Sequence, residues 1–365
     1  MAMQGYSTVA SRNLIKAAQD MLAHAENITV LGDFGTTRQH PTRATDTLVF
    51  RRTLPFSAST TGTSIEGTNR YAGTPGGGGS SSVAPGLTAT NFLIAEGATP
   101  AANTISFQDV SVTLQQYGLL FKFSSKVELL YEDDVPGEMV KLTGETMAEV
   151  LELVRYGVLK AGSTVIYGNG SSRSAVNTVI SLSALRKAAR TLESNRAKRV
   201  TQRVAPGLNY GTRAIQPAFI VFVHTDAVAD IRNLPGFTKV EEYGQFKPIH
   251  DMEIGACEDF RFIKSPLLVP FMASGSTTQN GCLAVAGAGS NAIDVYPFLI
   301  IGEDAWGQVA LKGYNSITPR VLKSGDINHA NPMGQFGYVG ASTWFAAVRL
   351  NEAWMARIEC GVSAL

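Results

Sequence analysis

Thr74-Pro75-Gly76-Gly77-Gly78-Gly79-Ser80-Ser81-Ser82 lies near the middle of a long excursion between two strand-like segments. The excursion runs from Thr53 to Gln108 and carries only three charges, Glu66, Arg70 and Glu96. Its interior is Gly, Ser, Thr and Ala, with too few large apolar side chains to bury a core of its own. Loops of this length inside compact domains are uncommon and are usually functional or disordered. Order in such a stretch is expected to come from a neighbouring molecule, which favours an assembly protein over an enzyme. The flanks read as strands: Asp46-Thr-Leu-Val-Phe-Arg-Arg52 before, Val110-Ser-Val-Thr-Leu-Gln-Gln-Tyr-Gly-Leu-Leu-Phe121 after.

The 365-residue chain as a whole is long enough for one large domain or two modest ones with a proper core. Hydrophobic content of 44% is ordinary, but 17% charged residues is low and suits a surface largely covered by partners. A net charge of +1 gives no global attraction to nucleic acid or acidic membranes. Cys257, Cys282 and Cys360 are far apart and match no metal-binding spacing. A sparse, odd set of thiols fits a reducing compartment. No run approaches the ~20 apolar residues of a membrane span, and the N-terminus lacks the layout of a secretion signal. We therefore expect a soluble intracellular product that keeps the segment beginning at Met1.

Ser11 is a candidate cap for a short helix to about Glu26, with Ile15, Ala18, Leu22 and Ala25 on one face. So short a helix is marginal alone and reads as a docking arm. Residues 32–45 are turn-rich. Asp133-Asp134-Val135-Pro136-Gly137-Glu138 has the carboxylates and proline that a helix N-terminus favours. From there Met147, Val150, Leu151, Val154 and Val158 make an apolar stripe that predicts a long helix to about Lys160. Ser183 is expected to open a second helix, burying Leu185, Ala188, Ala189 and Leu192. Phe219-Ile-Val-Phe-Val223 reads as a fully buried strand. A strand pair is expected between Asp294 and Leu311, while Ser342 to Glu359 fits either a long strand or a helix.

Charge is segregated along the chain. Residues 128 to 152 hold eight acids and one Lys; residues 186 to 213 hold eight Lys or Arg and one Glu. Glu138, Glu145, Glu149 and Glu152 are the candidate acidic interface face. Arg186, Lys187, Arg190, Arg196, Lys198, Arg199 and Arg203 are the candidate basic patch, facing either another subunit or DNA. Such surfaces steer association and set register, although a single exposed pair contributes only about 0–1 kcal/mol. The basic segment has little aromatic interleaving for base stacking apart from Tyr210.

Catalytic and cofactor motifs are missing from the sequence. The five histidines show no metal-type pairing, and no H-E-x-x-H, C-x-x-C, calcium loop, phosphate loop or G-x-S-x-G elbow occurs. Gly168-Asn-Gly170-Ser-Ser-Arg173 ends in Arg where a dinucleotide fingerprint needs its third Gly, and reads as a turn. His250, Asp251 and Glu253 set a base beside carboxylates with no nucleophile assignable from spacing. No catalytic, cofactor-binding or metal-binding residue is assigned.

A series of phrases, in order, carries a resemblance. It begins with Glu96-Gly97-Ala98-Thr99-Pro100, Gln116-Tyr117-Gly118 and Phe121-Lys-Phe-Ser124, followed by Asn233-Leu-Pro-Gly-Phe237. Glu253-Ile254-Gly255, Phe260-Arg261-Phe262, Asp294-Val295-Tyr296 and Ile301-Gly302-Glu303-Asp304-Ala305 come next. Asn331-Pro332-Met-Gly334-Gln335 and Leu350-Asn-Glu-Ala-Trp-Met-Ala-Arg357-Ile358-Glu359 close it. Over roughly Asp46 to Glu359 the chain resembles the major capsid proteins of tailed bacteriophages, particularly the podophage branch typified by coliphage N-four. It departs after Gly340, where Ala341-Ser342 stands in place of the aromatic and Lys often found in that family.

The resemblance implies an α+β chain with the Hong Kong 97-type phage capsid fold. Its expected parts are an N-terminal arm (1–45), an extended β-hairpin loop (46–123) and a peripheral domain with a long spine helix (124–218). A mostly axial domain (219–325) and a return to the peripheral domain (326–365) complete it. It further implies a non-enzymatic subunit that self-assembles as hexamers and pentamers into an icosahedral shell around double-stranded DNA, held non-specifically. Scaffolding, portal and cement proteins are implied partners, with no membrane; the location is the virion capsid, assembled in the bacterial host cytoplasm. An encapsulin-type shell around cargo enzymes is the alternative, followed by a hydrolase or carbohydrate-binding β protein. Some relatives cross-link a loop Lys to an Asn of a neighbour. Here no Lys occurs from Ala17 to Phe121, so that cross-link is not expected.

Overall fold

The computed structural model describes residues 29–43, 45–53, 94, 96–97, 107–131, 134–205, 211–243, 248–284, 292–312, 318–327, 329 and 331–365. The expected helix from Ser11 to Glu26 and most of the low-charge excursion lie outside them. In chain order the elements are β1 (Thr36–His40), β2 (Thr47–Thr53), β3 (Phe107–Thr113), β4 (Gln115–Ser124), α1 (Ser125–Leu130), α2 (Val135–Lys160) and β5 (Val165–Tyr167). There follow α3 (Leu182–Ser194), β6 (Val200–Ala205), β7 (Gly211–His224), α4 (Val228–Arg232), β8 (Phe237–Lys239), β9 (Glu253–Cys257) and β10 (Phe260–Ser265). The chain closes with β11 (Tyr296–Ile301), β12 (Trp306–Leu311), β13 (Thr318–Leu322), β14 (Phe336–Arg349) and β15 (Met355–Cys360). It divides into two compact units, each assembled from three segments: Met1–Leu48, Val112–Val158 and Gly307–Val348 in the first, Val49–Ser111, Leu159–Trp306 and Arg349–Leu365 in the second.

In the first unit, Asp134 caps α2. Its Oδ1 accepts from Gly137 N at 3.1 Å, and its carbonyl takes the first helical bond from Glu138 N at 3.0 Å. Val135 and Met139 then pack with Phe123, Val127 and Val339 in a small core. The buried positions continue through Thr143, Met147, Glu152 and Tyr156. Val150, Leu151, Val154 and Val158, expected in the buried stripe, are only half-buried. Thr143 is admitted because its hydroxyl bonds back to Met139 O at 2.6 Å.

The sheet of this unit has the order β1-β12-β14-β13, with β4 also on β14. β4 and β14 run antiparallel from Phe336↔Ser124 to Phe345↔Gln115. Gly337 is required there: a Cβ would sit 2.1 Å from the ring of Phe123, which lies over it. The strand expected to run unbroken from Val110 to Phe121 is two strands, interrupted at Leu114, whose N–H turns to Asp46 O at 2.9 Å.

The second unit is built on the sheet β5-β15-β11-β7-β10-β9-β8, with β6 on β7. Phe219 to Val223 are fully buried, as expected, because β7 is flanked by parallel β10 and antiparallel β11 and covered on both faces. α3 lays Ala184, Leu185, Ala188 and Leu192 into the core that holds Phe219, Val221 and Val223. Its cap is Ser181, not Ser183: Ser181 Oγ accepts from Ala184 N at 3.4 Å. Ala189 is only half-buried.

Two further expectations are resolved. The segment from Ser342 to Glu359 is strand, not helix, belonging to β14 and β15 around a short 3-10 turn at Glu352–Trp354. The two strands between Asp294 and Leu311 exist but do not pair. β11 joins β7 and β15, whereas β12 joins β1 and β14. Short connections favour hairpins, but here hydrogen-bonding partners far off in sequence take both strands.

Candidate assembly surfaces

Glu138, Glu145 and Glu149 fall on one side of α2 at helical spacing, with Glu138 exposed and the other two half-buried. Glu152, three residues after Glu149, falls on the same side of the helix but is not exposed there. Its side chain is wholly buried, and Oε1 accepts from Val30 N at 2.8 Å and Leu31 N at 2.5 Å. Oε2 pairs with Arg155 Nη1 at 3.1 Å. Arg155 Nε donates to Gln308 Oε1 at 3.0 Å, and Gln308 Nε2 in turn donates to Gly32 O at 2.8 Å. A buried carboxylate thus satisfies two backbone donors of residues 29–34 and fastens them to α2. Sequence spacing alone assigned Glu152 to the acidic row; only its distant partners turn it inward.

The basic residues divide into paired and unpaired sets. Arg186 forks onto Glu258, Nε to Oε1 at 2.9 Å and Nη2 to Oε1 at 2.5 Å. That bond holds the Glu258 carboxyl below, and the Arg186 guanidinium above, their ordinary ranges. Arg199 meets Glu193 at 2.5 Å and Asp259 at 2.8 Å. Lys198 is exposed, its Nζ 6.0 Å from the Trp354 ring centre. Lys187, Arg190 and Arg196 are exposed and engage no ion pair among the described residues. Arg203 lies in β6 opposite Arg213 of β7, and its side chain is outside the described residues.

Arg196 has an unusual backbone. Its φ is 56°, in the left-handed region where glycine is favoured. Arg196 N bonds to Glu193 O at 2.9 Å and Ala197 N to Leu192 O at 2.9 Å. These two bonds are the Schellman closure of a helix, with Arg at the position usually held by Gly. The sequence signal for such a stop is a glycine, so the motif was invisible there.

The root of the excursion is a two-stranded ribbon of β2 and β3. Arg51 forks onto Asp109 at 2.7 and 2.8 Å, and Arg52 Nε bonds Gln108 Oε1 at 2.9 Å. The Arg51 bond holds the Asp109 carboxyl below its ordinary range. Another cluster that sequence reading missed joins Arg173, Arg357, Lys160 and Glu359 around Phe271. Arg173 Cζ stands 3.4 Å and Lys160 Nζ 3.9 Å from the Phe271 ring centre. Burial, then Arg173 and Arg357, push the Lys160 amine below its usual range.

This α+β architecture is the Hong Kong 97-type capsid fold. The solved capsid of Ralstonia phage GP4 superposes with a TM-score of 0.63 at 10% identity, covering 97% of this chain and 96% of that one. The cyanophage Pam1 capsid asymmetric unit gives 0.54 at 14% identity, covering 99% of each chain. In sequence, the major capsid protein of Pseudomonas phage KPP21 is 19% identical over 279 residues, 70% of this chain and 69% of that protein. The family model described as phage capsid protein matches residues 107–317, and the chain belongs to that family.

Proposed function

We propose that this chain is the major capsid protein of a tailed phage, a structural subunit that closes with copies of itself into an icosahedral shell around double-stranded DNA. The capsid family match over residues 107–317 is the observation that carries this reading. The fold likeness and the sparse charge of the Thr53–Gln108 excursion support it. On this reading the subunits group as hexamers and pentamers, and the ribbon of β2 and β3 is the root of an extended loop that finds its order on a neighbour. α2 is the spine helix of the peripheral domain, and the β7-centred sheet carries the axial domain. Scaffolding, portal and cement proteins are the expected partners, the host cytoplasm is the site of assembly, and the ordered phrases from Glu96 to Glu359 favour the podophage branch. The role is structural, without catalysis.

Light scattering and negative-stain imaging of the purified protein test this. Closed shells tens of nanometres across holding nuclease-resistant DNA are expected. Shells that enclose a cargo protein instead of DNA would favour an encapsulin. A chain that stays monomeric with a scaffolding protein present would overturn the shell reading.

A further inference from the structure

α2 and α3 each expose a charged row that no ion pair among the described residues neutralises. On α2, Glu138, Glu145 and Glu149 share their side with Leu142 and Leu153, which are 50% and 44% exposed. From Glu138 to Glu149 the row extends about 16 Å at 1.5 Å per residue. On α3, Lys187 and Arg190 lie on the face turned away from the core, and Arg196 follows just past the helix end. Lys187 and Arg190 lie one helical turn apart, about 4.5 Å along the axis, and Arg196 adds a third cation beyond the helix end. Three carboxylates therefore face outward in one place and three cations in another, while the neighbouring Arg186 and Arg199 already have carboxylate partners.

The Arg at position 196 is a separate observation. A helix stop of this geometry is easier for glycine, so a strained arginine there points to use of its side chain. The exposed leucines are a third. Lys and Arg cover apolar surface with their aliphatic stems while their charged ends reach carboxylates. A row of acids interleaved with leucine suits that kind of partner, whereas phosphate contacts would make no use of it.

We propose that the basic row Lys187, Arg190 and Arg196 of one copy docks on the Glu138, Glu145, Glu149 row of the next copy, with Leu142 and Leu153 beneath the cationic stems. The proposal rests on the shell reading. Such a contact joins two different faces of identical chains, and contacts of that kind repeat from copy to copy into rings when the rotation closes. Each exposed pair is weak and screened by salt; repetition around a closed assembly makes the row count. Opposite charge also fixes register, since a slipped contact sets like charges together.

Charge reversal tests it. Lys187→Glu with Arg190→Glu is expected to abolish shells, as is Glu145→Lys with Glu149→Lys. Carrying all four substitutions in one chain is expected to restore them. Arg196→Gly, which leaves the helix stop intact, is expected to lower shell yield and to lower the salt concentration at which shells are lost. Matching far-UV circular dichroism and melting temperature in the unassembled variants exclude misfolding. Unchanged shell yield from either reversal alone would overturn the proposal. So would losses that the fourfold variant fails to restore, because the two rows would then not meet. Intact shells that lose nuclease-protected DNA on Lys187 and Arg190 reversal would assign the basic row to nucleic acid instead. Failure of the unsubstituted chain to form shells would be a different result, against the shell reading itself.

Discussion

Arg173 grips Glu359 with both arms of its guanidinium fork, Nε and Nη2 each 2.7 Å from a carboxylate oxygen, across 186 residues of chain. Arg357 Nε lies 2.8 Å from the same carboxylate, an ion pair without a well-aligned hydrogen bond. Glu359 is fully buried and is the one acid among three cations. Removing one partner of a buried pair strands the others, at a cost of about 3–5 kcal/mol. Glu359→Ala should therefore lower the stability of the β5-to-β15 unit by an amount in that range, read from chemical denaturation. A loss no larger than that of an exposed surface substitution would refute it.

Glu152→Ala should act differently. It removes the acceptor for Val30 N and Leu31 N and leaves Arg155 without its carboxylate. A loss of about 3 kcal/mol is expected, with its local signature in residues 29–40. Hydrogen exchange should show those amides opening while β7 stays protected. Equal loss of protection in both places would mean that Glu152 supports the fold globally and does not serve as a clamp.

Arg196→Gly should leave stability unchanged or raise it. Relief of a left-handed non-glycine residue is worth about 1–2 kcal/mol. The added freedom of the unfolded chain offsets about 0.4–1 kcal/mol of that. A clear fall in melting temperature would show that the arginine is held by favourable local contacts and that its conformation carries no strain.

Burial raises the pKa of all three thiols, Cys257, Cys282 and Cys360. The thiolate is the reactive form, so the native protein should resist a thiol reagent at pH 8 and expose three reactive groups on unfolding. Burial also raises Tyr243 and Tyr296. Groups with raised folded pKa stabilise fully below their unfolded values, about 8.5 for Cys and 10 for Tyr. That contribution is lost as pH climbs through the folded values. Lys160, shifted down, works the other way and gains as pH rises toward about 10.4. Three thiols against one amine should make the melting temperature fall between pH 8 and pH 10, and the two tyrosines should steepen the fall above pH 10. A flat or rising profile would contradict this.

Local features were the legible ones. The Asp-Pro-Glu start and apolar spacing located α2, and an unbroken run of β-branched and aromatic residues marked Phe219–Val223 as a central strand. What escaped reading depends on partners far along the chain. Glu152 looks like its exposed neighbours until Val30 and Leu31 arrive from more than a hundred residues away. β11 and β12 look like a hairpin because they are adjacent, but strand pairing is decided by the sheets each one completes. Ser181 and Ser183 are both plausible caps, and the choice turns on which hydroxyl reaches Ala184 N. The paired and unpaired arginines of the basic segment differ only by the carboxylates of Glu193, Glu258 and Asp259 beside them.

The interleaving of the two units has a consequence for how the protein is made. The first unit draws on chain up to Leu48 and again on Gly307–Val348, and the second waits for Arg349–Leu365. At about 5–20 residues per second, roughly 15–60 s separate the synthesis of Leu48 from that of Val348. Neither unit has all its segments until the chain as far as Val348 has been made, so the two cannot fold one after the other in the order of synthesis. Strand β14 (Phe336–Arg349) is made long after β4 (Gln115–Ser124), yet β4, β12 and β13 all pair with it. Strand β4 must therefore wait, its edge toward β14 unpaired, through the synthesis of all the chain between them.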